Sequence, residues 1–334
     1  MLSFCYSYLR ILDEWQLDWV NGFRVVAMNF TDICPASTTI FMLFNLEDLK
    51  PAEKQYYLQH VIAPRPVCFA STINNEGEVN LSPFSFFNMF SSNPPIAIFS
   101  PARRVRDNTT KHTLQNVLEV PEVVINIVTV DMVQQVSLAS CEFPKGISEF
   151  TKAGFTAEPA TLVRPPMVKE SKVKMECRVI EVKPLGETGG AGNLVICEIL
   201  RLHIDDSLLD ENKKIDQRRI NHIARLGGDW YCVVNEQNLF KVEKPNTQIG
   251  IGIDALPGNL RNSSILTGNH LGQLANVHEM PVIDPAFDDD HLKQIIQYYN
   301  ISPDEMEREL QTYAMKLLNE GKVQEAWQVL LAGI

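Results

Sequence analysis

The sequence predicts a mainly β, α+β fold in which an antiparallel barrel carries peripheral helices and a C-terminal helical extension. Three observations lead there. Between residues 67 and 128 short apolar runs follow one another closely and are joined by tight turns, which favours antiparallel pairing over alternating βαβ units. Val173, Met175, Cys177 and Val179 alternate with Lys174, Glu176, Arg178 and Ile180, the period-two pattern of a half-buried strand. Towards the C-terminus the strand signals give way to apolar residues at helical spacing.

In chain order, residues 1–41 are expected to be a poorly packed extension ahead of a start at Met42. Phe4 to Leu12 is apolar, but Asp13, Glu14 and Asp18 follow at once, which no secretory leader tolerates. Leu46, Leu49, Tyr56, Tyr57, Leu58 and Val61 predict one or two helical turns before Pro64. Pro64 and Pro66 bracket Arg65 and hold it extended at the mouth of a strand. Val67–Ile73 is a strand, turned by Asn74-Asn75-Glu76-Gly77 into Val79–Leu81. Ile96–Ser100 and Val123–Val128 are two more, with a short helix over residues 109–118 between them.

A helix over Asp131–Ala139 and a short one over Ser148–Ala153, closed by Gly154, precede the alternating strand. Residues 186–192, rich in glycine, then connect it to a returning strand over Leu194–Ile204. That connection lacks the strand, loop and helix order of a phosphate loop and reads as a loop tip. A helix-like segment over Arg218–Ala224 leads to Gly227-Gly228, which either caps a helix or brings the backbone close to a flat ligand or another subunit. Further on, Ser302-Pro303-Asp304-Glu305 starts the first of two C-terminal helices, over residues 306–318 and 323–331.

Composition narrows the function. The chain has 334 residues, 45% of them apolar, and a net charge of −11. That balance disfavours a nucleic-acid partner, which needs a basic face to displace counterions. Seven cysteines without a close pair argue for reduced, buried thiols, a cytoplasmic location and no metal site. No apolar run reaches eighteen residues, so no membrane association is expected. Against this acidic background the cluster Arg103, Arg104, Arg106 and Lys111 stands out. It closes a stretch, Arg65–Asn116, that gathers small polar groups, flat rings and positive charge ahead of a helix, as a phosphorylated planar ligand requires.

The residues of that stretch resemble the flavin reductase-like proteins with an FMN-binding split barrel, the flavoredoxin group. The resemblance rests on Pro64-Arg65-Pro66 entering Phe69-Ala70-Ser71-Thr72, then Asn80–Asn88, Asn93-Pro94-Pro95 and Lys111–Asn116. Glu149-Phe150 with Ala153-Gly154, and Arg225–Gly228 with Tyr231, extend it to roughly residues 46–240. It implies a six-stranded, Greek-key-like split barrel over residues 42–245, followed by an extension with a linker and two helices over 246–334. It also implies a homodimer with FMN in a cleft at the subunit interface and NADH or NADPH as electron donor.

By the same resemblance the phosphate would lie near Lys111, Thr113 and Asn116, assisted by Arg65 or Arg103. Ser71, Thr72, Asn80, Ser82, Phe84, Ser85, Asn88 and Ser100 would complete the cofactor site. His112 stands where family members commonly carry Asp and is the one side-chain candidate for a catalytic role, the flavin N5 being the reactive centre. The expected activity is that of an NAD(P)H-dependent flavin reductase acting on small-molecule nicotinamide and flavin substrates. A flavoredoxin-like carrier passing electrons to a protein or small acceptor, and a non-catalytic flavin-binding module, are the alternatives.

Overall fold

The computed structural model describes residues 16–20, 23–27 and 40–333, apart from 243 and 245–247. Most of the expected N-terminal extension lies outside the described residues. Within it, β1 (Gln16–Val20), β2 (Phe23–Ala27) and β3 (Ile40–Leu43) form a three-stranded antiparallel sheet. The chain divides into two compact units, residues 1–239 and 240–334.

The first unit is built on one antiparallel sheet. Its strands are β5 (Cys68–Ile73), β6 (Val79–Phe84), β7 (Phe87–Ser92), β8 (Pro95–Phe99), β9 (Glu122–Ile127), β12 (Val173–Pro184) and β13 (Asn193–Ile204). They lie in the order β6-β5-β9-β12-β13-β8-β7. Laid flat, seven strands would put the two edge strands about 29 Å apart. Yet β6 and β7 are joined through Ser85 and Phe86 alone, a reach of about 11 Å. The sheet must therefore curl, and it does so without ladder bonds between its edges. Small pieces flank it: β4 (Arg65–Pro66) pairs with β14 (His222–Arg225), which pairs with β15 (Tyr231–Val234). Another short pair is β10 (Ala157–Glu158) with β11 (Met167–Val168).

Both faces of the sheet are covered, which explains why β5 is buried along nearly its whole length instead of alternating. Cys68 and Ala70 join Phe84, Phe99, Ile125, Cys177, Val195 and Cys197 in the barrel interior. Phe69 turns the other way, to Leu81, Met132, Val136 and Phe150. That outer layer is supplied by α3 (Val133–Ala139) and α4 (Glu149–Ala153), the latter closed by Gly154 at φ 70°. Helix α1 (Pro51–Val61) precedes β4, and α2 (His112–Glu119) lies between β8 and β9.

The second unit has its own core, centred on the fully buried Trp327, whose indole donates to the Leu274 carbonyl at 3.2 Å. It contains α5 (Gly258–Arg261), α6 (Gly268–Ala275), α7 (Asp290–Tyr299), α8 (Pro303–Asn319) and α9 (Val323–Leu331). Helices α8 and α9 are the two expected. Two further helices were not expected: α6, in a stretch rich in Gly, Asn and Ser, which Thr267 caps by accepting from the His270 amide, and α7, after the prolines of the linker, which Asp289 caps at Leu292.

Several expectations need correction. The sheet has seven described strands where six were implied, the addition being β7. Residues 51–61 form three helical turns rather than one or two, because Pro51 at the first position and Glu53, bonded back to the Lys50 amide, start the helix well. Residues 218–224 are not helical: a 3-10 turn over Gln217–Arg219 passes directly into β14, and Gly227-Gly228 belong to a hairpin, not a helix end. Ser302 makes no side-chain cap.

Glu176, expected to face water on the side of β12 opposite Cys177, is fully buried because residues Thr161–Val163 cover that face and donate to its carboxylate. Its carboxylate accepts from the Thr161 hydroxyl at 2.6 Å and the Leu162 amide at 2.5 Å, and meets His203 Nε2 at 2.7 Å. Burial alone would raise its pKa, but these bonds outweigh burial and hold it at about 2 instead of the usual 4.5. A depressed carboxyl stabilises the fold fully above its unfolded pKa, and that contribution disappears as pH falls from 4.5 towards 2. The urea midpoint should accordingly drop more steeply across that window in the native protein than in Glu176→Gln; parallel profiles would contradict the buried ionised state.

Candidate functional site

Four cationic residues in nine positions repel one another unless the chain holds them, and residues 100–111 do so with local bonds. Arg103 Nε donates to Asn108 Oδ1 at 2.7 Å and its Nη2 to the Asn108 carbonyl at 2.8 Å. Arg104 reaches Glu142 from Nε at 2.8 Å, and Thr109 Oγ1 and the Thr110 carbonyl from Nη1. Arg106 binds Asp107 and the second oxygen of Glu142. Hydrogen bonds from Arg106 and then Arg104 hold the Glu142 carboxyl below the usual range.

The tip of the β12–β13 hairpin clamps this turn from outside. The Arg103 amide donates to the Ala191 carbonyl at 2.8 Å and the Gly190 amide to the Arg103 carbonyl at 2.9 Å. Asn108 Nδ2 adds a bond to the Glu187 carbonyl. Gly189 is required by this contact, since a Cβ there would stand 3.0 Å from the backbone of Arg104 and Val105.

Lys111, directly before α2, differs from the arginines. Its ammonium is half-buried, 5.1 Å from the centroid of the Phe84 ring, and has no hydrogen bond or ion pair among the described residues. Burial, and then the charge of Arg104, lower its pKa. Arg65 is the reverse case. It is 8% exposed, and its fork donates to the carbonyls of Gln59, Ile62 and Leu226, closing the C-terminal end of α1 onto the β14–β15 hairpin. Burial and then the nearby Arg225 lower its pKa, and its Nε is buried without a partner.

Together these elements border a cleft of about 800 Å³. One wall is α1 and the residue that follows it, with Lys54, Leu58 and Ile62; another is the cationic turn with Lys111 and Glu142; Phe86, 42% exposed, and the backbone of Thr188–Gly190 complete it. Of the residues expected at a cofactor site, Arg65, Arg103 and Lys111 reach this cleft. Four others form buried bonds that fix α2 to the β5–β6 hairpin. Asn80 donates to Glu149 at 2.8 Å and accepts from the Thr113 hydroxyl at 2.7 Å, while Asn116 donates to Thr72 at 3.2 Å. Glu149 accepts from the Leu81 amide as well.

The remainder lie elsewhere. Ser71 is fully buried with a hydroxyl that has no partner, and Ser82 is half-buried on β6. Phe84 is in the barrel core beneath Lys111, and Ser85 borders a separate hollow of about 140 Å³ with Arg225 and Tyr231. Asn88 is exposed on β7, bonded to the Met89 amide. Ser100 is buried, its amide bonded to the Phe86 carbonyl. His112 faces a small hollow with Asn80, Asn116 and Lys145, apart from the main cleft.

Sequence reasoning missed the α1 wall, Glu142 and the hairpin tip. Only the tip carried a signal: a run of glycines marks backbone that something approaches closely. Chemically, the cleft offers cations and backbone to an anion beside an exposed ring, the requirements of a phosphorylated flat ligand.

Residues 61–220 match the family model of the flavin reductase like domain. A protein of Aquifex aeolicus is 36% identical over 171 residues, 51% of this chain and 85% of that one. The crystal structure of nitrilotriacetate monooxygenase component B from Bacillus cereus superposes with a TM-score of 0.57 at 28% identity, covering 61% of this chain and 100% of the other. A split-barrel-domain protein of Shewanella frigidimarina does so with a TM-score of 0.52 at 24% identity and the same coverage, a likeness of fold alone. The curled sheet is thus the split barrel expected from the sequence.

The buried network makes a checkable claim. Asn80→Ala deprives Glu149 of a donor and Thr113 of an acceptor, so stability should fall by about 2 kcal/mol in urea titration; an unchanged midpoint would show that the network contributes nothing.

Proposed function

The chain belongs to the flavin reductase-like family, and on that premise we propose that it is an FMN-dependent oxidoreductase, most simply an NAD(P)H-dependent flavin reductase. The observation that carries the proposal is the unpaired, half-buried ammonium of Lys111 beside Arg104 at the rim of the cleft. A phosphate fits that place: it would neutralise a cation that burial already disfavours and meet the free amides at the start of α2. Phe86 offers the ring system an apolar face, and about 800 Å³ lies within the range of small-molecule sites.

When bound, the flavin supplies two-electron chemistry at N5, taking hydride from a nicotinamide. The work of the chain is to hold and orient. Lys111 anchors the phosphate end, and the hairpin tip at Gly189-Gly190 keeps the cationic turn in register. Asn80, Thr72, Thr113 and Asn116 act behind the wall, fixing α2 so that Lys111 points into the cleft. Supporting a homodimer, edge strand β7 exposes Met89 and Phe90, each 64% accessible, on an unpaired sheet edge. The buried thiols of Cys68, Cys177 and Cys197, pushed up by burial and so kept protonated, suit a reducing, cytoplasmic setting.

The test is spectroscopic. Protein loaded with FMN and held anaerobic should lose its flavin absorbance on addition of NADH or NADPH. A bound flavin that stays oxidised with both would mean another donor or a non-catalytic role, and failure to bind FMN would remove the reading altogether. Lys111→Gln should raise the Kd for FMN about tenfold, one charge-assisted bond being lost; an unaltered Kd would place the phosphate elsewhere.

A further inference from the structure

We propose that the cleft contains a second anion subsite at Lys54, separate from the phosphate subsite at Lys111, which receives the pyrophosphate of a dinucleotide electron donor. The inference rests on the flavin reductase reading above and extends it to the donor.

The charged side chains bordering the cleft fall into two groups. The guanidiniums already have partners: Arg65 holds three carbonyls, Arg103 holds Asn108, and Arg104 and Arg106 share Glu142. A phosphate seated on them would have to displace a carboxylate or dismantle the turn. The two ammoniums have no such commitment. Lys54 and Lys111 both border the cleft and are half-buried, and neither has a hydrogen bond or ion pair among the described residues.

They also stand on different elements. Lys111 precedes α2, whereas Lys54 is in α1, ahead of the residues 61–220 that match the family domain. A single phosphate monoester answers one of these charges. A nicotinamide dinucleotide must reach the same cleft to deliver hydride to the flavin and brings a pyrophosphate with it. Beside Lys54, Leu58 and Ile62 are exposed on the same wall, 39% and 61% accessible, and give an apolar surface for a base or ribose. The Arg65 bonds to Gln59 and Ile62 fasten this wall to the hairpin and fix where Lys54 is presented.

The probe is ADP-ribose, which carries the pyrophosphate but no nicotinamide and so binds without turnover. It is titrated by calorimetry into FMN-loaded protein, with FMN affinity followed separately by flavin fluorescence. Lys54→Gln should weaken ADP-ribose about tenfold and raise KM for the nicotinamide donor without altering FMN affinity, Lys54→Arg should retain most of the binding, and Lys111→Gln should do the opposite. ADP-ribose affinity equal in Lys54→Gln and native protein, no ADP-ribose binding at all, or FMN weakened as much as ADP-ribose would each overturn the second subsite. The two readings fail distinguishably. Binding that depends on Lys54 in a protein that oxidises neither NADH nor NADPH supports the subsite while removing the reductase; unchanged ADP-ribose binding in Lys54→Gln of an active reductase removes the subsite alone.

Discussion

The cleft depends on one contact: the backbone of the β12–β13 hairpin tip pressed against the turn at Arg103–Asn108. Three guanidiniums so close together favour an open chain in which they separate. Two amide-carbonyl bonds, between Arg103 and Ala191 and between Gly190 and Arg103, prevent this, and they form because Gly189 has no side chain to hold the strands apart. Glu142 then bridges Arg104 and Arg106 across the turn. All these pairs are exposed, and an exposed ion pair contributes little by itself. The geometry therefore comes from the backbone clamp and the internal bonds to Asn108, Thr109 and Thr110, with charge pairing as a secondary effect.

Beneath that surface lies a second layer of fixed polar groups. Glu149 is 4% exposed and, among the described residues, has no cation bonded to it; it is held by Asn80 and the Leu81 amide. A buried carboxylate needs such donors, since desolvation otherwise disfavours the ionised form. Asn80 passes the constraint to Thr113 in the first turn of α2, and Asn116 repeats it one turn later through Thr72. Helix α2 is only eight residues long and could not hold its own position by propensity. Its orientation, and with it that of Lys111, is set by side chains from β5, β6 and α4.

Much of this was legible in the sequence because local chemistry decided it. The hairpin of residues 68–84, the helix after Lys111, the αL close at Gly154 and the proline-initiated helix at Pro303 each follow from a few adjacent residues. What was not legible needed non-local pairing. Strand β7 is mostly exposed, so Phe87–Ser92 shows neither a buried run nor a clean alternation. Residues 222–225 read as helix because the hairpin partner that makes them a strand starts only at Tyr231. Glu176 is buried because the segment at Thr161–Leu162, distant in sequence, covers it, and no local side-chain pattern marks such a cover. At the site, sequence cannot separate a polar side chain that lines a cleft from one buried behind it, and Thr72, Thr113 and Asn116 are of the second kind.

The charge distribution has a consequence for how a ligand arrives. A chain of net charge −11 repels a nucleotide at long range, yet the cleft borders carry Lys54, Arg65, the three arginines of the turn and Lys111 against Glu142 alone. At physiological ionic strength fields from exposed charges are screened within about 8 Å. The repulsion of the whole molecule is therefore weak at the distance where a ligand meets the cleft, while the local cations act within the screening length and, being partly shielded from solvent, act more strongly. Selection for an anionic ligand is thus made at the cleft rim rather than by the protein's overall charge. An acidic surface elsewhere leaves that rim as the place where phosphate is favourably received, and the excess of cations there means that binding one phosphate still leaves positive charge for another.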